Sequence, residues 1–408
     1  ENNGCSLMAE DVAALYAGKP VLLLSDPETD AVIGKKLRFE LEQRGIELHH
    51  ILLESQPVAT DHLADEVEAE CKGKSLVISV GSGTINDLGK FAASHLGLPF
   101  WTMPTAPSMN GYTSGIAAIK VKGVKRTLPA APPARIYAVP EIIRNAPLKL
   151  RQSGFCDVLA KVVSDIDWRC ESLLASDRYC GLPSAMMAGI ETSYAARPEE
   201  IGHGDEAAVT GLFQGLLLSG VAMSLAGSSA PASGGEHLLS HFLDMREPIT
   251  GRVPELHGLQ VGMGILLSTA CYSRLAKLRP ENLPRRAAEL FEKTAAEIPI
   301  IWGNTAEEVS KQFQDKREIL LSFDELVPQH WESLQKLFSL VRPPQYFSDL
   351  FTRVGTPFTL EAFRLDQEEF VLAARNSRAI RNRITVLDFA AHCEVLESSI
   401  EDVLKLLT

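Results

Sequence analysis

The chain has 408 residues, 45% hydrophobic and 23% charged, the balance of a folded globular protein with large cores and not of a disordered one. At an ordinary domain size of roughly 150 residues, that length predicts two or three domains. Forty Lys and Arg against 52 Asp and Glu give a net charge of −12, which offers no field to nucleic acid or anionic lipid but leaves room for a local basic pocket for a small phosphate.

The opening Glu-Asn-Asn-Gly has no basic segment followed by an apolar one, so no signal peptide is read there. Pro20–Ser25 reads as a β-type run, Asp30–Arg44 as a helix stopped by Gly45, and Ile46–Leu53 as a strand. Asp61–Cys71 follows as a helix, Ser75–Val80 as a buried strand, Thr84–Leu96 as a helix stopped by Gly97, and Phe100–Met103 as a short strand. Strands alternating with helices predict a mostly parallel sheet covered on both faces. From Gly115 to Val139 the pattern is β-rich, with Lys122-Gly123 as a hairpin turn.

Beyond about residue 140 no further strand is read, only helical segments such as Leu148–Leu174, Glu206–Leu225 and Glu255–Leu278. The expected architecture is therefore an α/β N-terminal domain, residues 1–145, followed by an all-α C-terminal domain, residues 146–408. A cleft between two such halves is the default place for a ligand. Gly211–Gly227 is the longest apolar stretch; interrupted by Gln214, Ser219 and Ser224, it reads as too short and too polar to span a bilayer, so no membrane insertion is expected. Thr305–Lys316 reads as a solvated helix face. The seven cysteines (5, 71, 156, 170, 180, 271, 393) are scattered without any C-x-x-C, as in a cytoplasmic protein with reduced, mostly buried thiols.

Three constellations can carry chemistry. Val80-Gly81-Ser82-Gly83-Thr84-Ile85-Asn86-Asp87 is a Gly-rich turn between a strand and a helix, where free N–H groups and the positive dipole end suit a pyrophosphate. It matches neither G-x-G-x-x-G nor a P-loop, and a plain turn capped by Thr84 is the competing reading. Met103–Ser114 sets hydroxyl residues at 105, 108, 113 and 114 on a loop at the carboxyl edge of the sheet, where open α/β sheets bind ligands; a surface loop is the alternative. Glu236-His237-Leu-Leu-Ser-His241 puts two histidines on one helix face, and His257 follows within 21 residues, a spacing compatible with a metal but unlike H-E-x-x-H. Asp157 reads as a carboxylate near the start of an apolar helix, where a cap or first-turn acid suffices.

Together, GSGTINDLGKFAA (81–93), PTAPSMNGYTS (104–114), LPAAPPARIYAVP (128–140), GFCDVLAK (154–161), GGEHLLSHFLDM (234–245), LHGLQVGMG (256–264) and RNRITVLD (381–388) resemble the sn-glycerol-1-phosphate dehydrogenase family. That family lies within the metal-dependent alcohol dehydrogenase and dehydroquinate-synthase-like superfamily. The resemblance implies that Asp157, His237 and His257 hold one divalent metal, zinc first, with nickel or iron as alternatives. It implies that His241 faces substrate instead of joining His237 as a ligand. It also implies that Gly81, Gly83, Thr84, Ile85, Asn86 and Asp87, with Thr105, Ala106, Pro107, Ser108 and Ser114, hold a dinucleotide whose adenosine ribose meets Asp26. A carboxylate at position 26 accepts from a ribose diol and repels a 2′-phosphate, so NAD(H) is expected over NADP(H).

One departure concerns Asn110, where relatives usually carry Asp near the substrate hydroxyls; an amide orients a hydroxyl but accepts no proton. Lys161 stands where iron-type relatives place a further His. The expected reaction is NAD-linked interconversion of dihydroxyacetone phosphate and sn-glycerol 1-phosphate, a small-molecule substrate, by an enzyme that is at least a homodimer. The alternatives are a glycerol or polyol dehydrogenase, a dehydroquinate synthase-like lyase, or a relative whose catalysis has drifted.

Overall fold

In Val21–Ser25 (β1), alternate side chains go to opposite faces of a sheet: Val21 and Leu23 join one apolar cluster, Leu22 and Leu24 the other. The computed structural model describes residues 3–175, 179–356 and 358–407. By contacts the chain divides into two compact units, Glu1–Val158 with Met186–Ser228, and Leu159–Ala185 with Ser229–Thr408.

The first unit is built on five parallel strands. Leu48–Leu52 (β2), Leu76–Gly81 (β3), Phe100–Pro104 (β4) and the two-residue Arg135–Ile136 join β1 in the order β2, β1, β3, β4 and Arg135–Ile136. The register pairs Val21 with Leu48 and Leu76, and Gly81 with Pro104, so β3 and β4 end side by side. One sheet face is covered by Gly4–Tyr16 (α1) and Lys35–Gln43 (α2), through Met8, Val12, Leu37 and Leu41. Asp61–Cys71 (α3) and Gly83–His95 (α4) cover the other face through Val67, Leu88 and Phe91. The sequence reading missed α1; its Asn3 N-cap makes no side-chain capping bond, so no start signal marks it.

The hairpin Ile116–Val121 (β5) and Val124–Pro129 (β6) turns at Lys122-Gly123, with φ of 49° and 83°. Two successive left-handed residues are what a two-residue hairpin loop of matching twist requires. The helix expected over Asp30–Arg44 is instead broken into a short turn at Pro27–Thr29, a wider π turn at Asp30–Gly34, and α2. The buried Asp30 carboxylate within that π turn is paired with Arg38 at 3.0 Å.

The helical stretch over residues 148–174 is two helices, Leu148–Leu159 (α5) and Lys161–Leu174 (α6), separated at Ala160. Glu206–Ala226 (α7) belongs to the first unit and ends on a left-handed Gly227, φ 66°. Its 21 residues correct the expectation that this run is too short and too polar: by length and composition alone it passes as a membrane span. With 61% of its most apolar window buried inside the protein, the run is nonetheless packed as a buried helix, as its sequence implied.

The second unit is built of helices, with no strand among its described residues. Gly235–Thr250 (α8) and His257–Leu275 (α9) pack closely at Gly264, where an added Cβ would sit 2.0 Å from the Glu236 carbonyl oxygen. The polar stretch around 305–316 forms an amphipathic helix, Ala306–Asp315, that buries Val309 and Phe313. Lys316, expected on a solvated face, is 3% exposed and pairs with Asp388 at 2.9 Å. All seven cysteines are free thiols; six are buried and Cys180 is exposed.

Candidate active site

In the first unit, β3 ends at Gly81 and α4 begins at Gly83, with Ser82 as an N-cap whose side chain makes no capping bond. Thr84 is therefore inside the helix and is not its cap. The Asn86 N–H already donates to the Ser82 carbonyl at 3.0 Å, so the amides of Gly83, Thr84 and Ile85 precede the helical ladder and can meet an anion. Ile85 has only its backbone to offer: its side chain is core and leaves no room for a Cβ at Gly81, which would come within 2.6 Å. Asn86 is fully buried, and its Oδ1 has no hydrogen bond among the described residues.

The loop after β4 is buried, not a surface loop, with Thr105 and Ser108 each 8% exposed and Ala106 1%. Three helices hold it through small residues and one cation. A Cβ at Gly154 of α5 would stand 1.8 Å from the Pro107 carbonyl oxygen, and one at Gly220 of α7 would stand 2.1 Å from Thr113 Oγ1. From α4, the Lys90 ammonium donates to the Gly111 carbonyl at 2.7 Å and to Ser114 Oγ at 3.2 Å. It also pairs with Asp87 at 3.3 Å. Burial pushes this ammonium down, and Asp87 opposes that shift. Asp87 Oδ2 accepts from the Ala118 N–H at 3.1 Å, so Asp87 and Ser114 are both engaged inside the protein.

This packing sets Asn110 against Asp157: the Asn110 N–H donates to Asp157 Oδ2 at 2.7 Å. Asp157 is fully buried and lies in the last turn of α5, not near a helix start as its sequence context implied. A carboxylate there opposes the helix dipole, and the Asn110 amide offsets part of that cost. The Asn110 side-chain Nδ2 has no hydrogen bond among the described residues. Asp26, at the end of β1, caps the following turn: Oδ1 accepts from Thr29 N–H and Thr29 Oγ1, each at 2.7 Å.

The second unit gathers His237, His241 and His257. The His237 and His257 ring centroids are 5.1 Å apart, His237 and His241 6.2 Å, and His241 and His257 5.9 Å. His237 Nδ1–H donates to Glu236 Oε1 at 2.8 Å, and His257 Nδ1 lies 2.8 Å from Ser240 Oγ. Tying Nδ1 to a neighbour fixes each ring so that Nε2 is the ligand nitrogen, the usual support for a metal-binding histidine. Asp157, His237 and His257 each offer one ligand atom. A carboxylate oxygen in the first unit and two imidazoles in the second are donor types that suit a divalent ion.

Sequence reading missed Glu236 and Asp167 behind these histidines. Glu236 Oε1 also accepts from the Gly234 N–H at 2.7 Å. Asp167 on α6 accepts from the Gly235 and Val386 N–H groups, each at 2.7 Å, and from the Tyr272 hydroxyl. Burial and nearby Glu236 push its carboxyl up to about 8, against those three donors. Two buried acids beside the histidines are the signal that could have found them, but it exists only in the folded chain.

Parallel strands and a helical remainder define the fold class, and the comparisons agree with it. The family model described as iron-containing alcohol dehydrogenase matches residues 3–147. A probable glycerol dehydrogenase from Sinorhizobium meliloti is similar in fold, with a TM-score of 0.62 at 17% identity over 98% of this chain and 94% of that one. The chain is 33% identical over 276 residues to a glycerol-1-phosphate dehydrogenase of Halalkalibacterium halodurans named for NAD(P)+, covering 66% of this chain and 69% of the relative. A Geobacillus thermodenitrificans protein of the same name is 27% identical over 386 residues, 93% of this chain and 88% of that one. The chain belongs to the glycerol-1-phosphate dehydrogenase family and is an oxidoreductase.

Proposed function

We propose that this enzyme interconverts dihydroxyacetone phosphate and sn-glycerol 1-phosphate with NAD(H), using one divalent ion, zinc first, held by Asp157, His237 and His257. The observation that carries the reading is the pair of histidines whose Nδ1 atoms are tied to Glu236 and Ser240 at 2.8 Å, in a chain of this family. When bound, such an ion acts as a Lewis acid on the substrate oxygen, and the nicotinamide supplies or takes the hydride.

The chain's own residues do the rest. The Gly83, Thr84 and Ile85 amides receive the pyrophosphate, flanked by Thr105–Ser108. Asp26 meets the adenosine ribose with Oδ2, since Oδ1 is engaged by Thr29 at 2.7 Å, and its charge disfavours a 2′-phosphate. The Asn110 amide points a donor at the substrate hydroxyls without accepting a proton, and His241 faces the substrate from α8. Free thiols, six of them buried, suit a reducing cytoplasmic compartment.

Following NADH absorbance with dihydroxyacetone phosphate, on metal-stripped protein and after adding zinc, nickel or iron, tests this reading. Metal-dependent turnover of the phosphate ester supports it. Turnover of dihydroxyacetone alone replaces it with a polyol dehydrogenase. Saturable NADH binding without net oxidation replaces it with a lyase or a drifted relative. Clearly faster rates with NADPH overturn the role given to Asp26.

A further inference from the structure

We infer that Arg381 and Arg383, with Ser233, form the site that binds the phosphate group of a phosphate monoester, next to His241 in the second unit. The inference rests on the proposed reaction only for which ester is bound. Arg381 Nη1 donates to Ser233 Oγ at 2.7 Å, Arg383 Nη2 donates to the Ser233 carbonyl, and Arg381 Nη2 lies 3.5 Å from His241 Nδ1. Two guanidinium groups thus converge on one residue just before α8. Ser233 and His241 are buried, at 5% and 7% exposure.

Charge balance sets these two half-buried arginines apart from the buried cations Lys90, Lys316 and Arg378. Lys90 pairs with Asp87 at 3.3 Å, Lys316 with Asp388 at 2.9 Å, and Arg378 with Asp388 at 3.6 Å. Among the described residues, no carboxylate lies within 4.0 Å of either guanidinium as an ion-pair partner. Burial pushes the Arg381 guanidinium down to about 9, and Arg383 beside it adds to that shift, while Glu236 and Glu171 oppose it. Two adjacent positive charges with carboxylates near but none paired to them are costly unless an anion completes them.

The nearby carboxylates are committed elsewhere. Glu171 accepts the Ile384 N–H at 2.9 Å and Asp167 accepts the Val386 N–H at 2.7 Å. These bonds fasten segment 381–386 to α6 by its backbone and leave the guanidinium forks for a ligand. A phosphate monoester, with a charge of about −1.5 to −2 and three acceptor oxygens, matches two forks and a serine hydroxyl. An unphosphorylated polyol supplies no such charge.

The test uses the parent enzyme, Arg381→Met, Arg381→Lys and Arg383→Gln. Calorimetric titration of metal-stripped protein with inorganic phosphate, so that no ion competes, reads the site without activity. Steady-state kinetics of the metal-loaded enzyme compare dihydroxyacetone phosphate with dihydroxyacetone. Arg381→Met and Arg383→Gln are expected to weaken phosphate binding at least about tenfold. Arg381→Met should raise KM for the phosphate ester about 100-fold, with dihydroxyacetone kinetics held within about threefold and Arg381→Lys intermediate.

Absence of phosphate binding by the parent, or equal binding by all variants, overturns the site. Equal losses with both trioses also overturn it, since they indicate a structural role. If Arg381→Met fails to fold, Arg381→Lys and Arg383→Gln decide by the same comparison. Arginine-dependent phosphate binding without any triose turnover sinks the proposed reaction and keeps the site. Turnover of the phosphate ester with KM indifferent to both arginines sinks the site and keeps the reaction.

Discussion

The loop behind β4 and the start of α8 solve the same problem of holding irregular backbone inside a protein, and they solve it with opposite charge arithmetic. In the loop, the buried Lys90 has both its carbonyl partner, Gly111, and a carboxylate, Asp87. Near the start of α8, Glu236 and Asp167 accept backbone N–H groups while, among the described residues, Arg381 and Arg383 bond to Ser233 and His241 and to no carboxylate. A compensated pair is explained by the fold itself. A set of both signs without paired partners is what the proposed divalent ion at the histidines and the proposed anion at the arginines would complete.

Removing the ion should produce the largest effect. Replacing His237 with Ala, or stripping the metal, is expected to lower turnover at least about 1,000-fold, with parallel loss of bound metal by elemental analysis. Full activity in the metal-free enzyme would dissolve the contrast from the histidine side. Glu236→Gln keeps the shape but weakens the acceptor for His237 Nδ1, so metal affinity should fall about 10- to 100-fold by competition with a chelating dye.

The compensated side breaks differently. Lys90→Met leaves Asp87 buried without its cation and should destabilise the protein by about 3–5 kcal/mol in urea denaturation. Pairing it with Asp87→Asn should recover much of that loss, because the uncompensated charge is gone. If the double variant is as unstable as the single one, the hydrogen bonds to Gly111 and Ser114 carry the stability and the ion pair does not. The close-approach glycines rank next. Gly154→Ala and Gly264→Ala place a Cβ 1.8 Å and 2.0 Å from backbone oxygens, and each should cost about 3 kcal/mol through forced backbone shifts.

Much of the first unit was legible because its physics is local. Alternation in β1 and β3 predicts a buried sheet, and Lys122-Gly123 predicts the hairpin from φ preference alone. The Gly81–Asp87 turn was visible as well, although not that Ile85 fills the space under Gly81. What could not be read depends on distant residues. Lys90 is one lysine in an apolar helix, and nothing local says that it reaches 24 residues on to Ser114. Asp157 seemed to begin a helix because Ala160, where α5 gives way to α6, carries no Pro or Gly signal. Lys316 looked solvated because its neighbours are polar, yet its partner Asp388 is 72 residues away. Arg381 meets Ser233 across 148 residues, a contact that no periodicity encodes.

The smallest effect concerns Asp167 on α6, whose buried carboxyl tests whether the acids beside the start of α8 are truly uncompensated. Its carboxyl is raised from 3.8 to about 8, by burial first and then by Glu236. Between those pH values the native protein keeps a proton that the unfolded chain has released. Its contribution to stability is therefore complete below about pH 3.8 and is lost as pH rises toward about 8. For metal-free protein, urea unfolding from pH 5.5 to 8.5 should show stability falling more steeply in the parent than in Asp167→Asn. The difference should reach at most about 1.4 kcal/mol per pH unit for one proton and vanish above about pH 8. Slopes are compared, not absolute stabilities, because an asparagine amide would face the Gly235 and Val386 N–H groups with only one acceptor oxygen. Equal slopes would mean that Asp167 is ionised throughout. The Tyr272 hydroxyl and the two backbone amides would then compensate it fully, and the contrast with Lys90 and Asp87 would rest on the arginines alone.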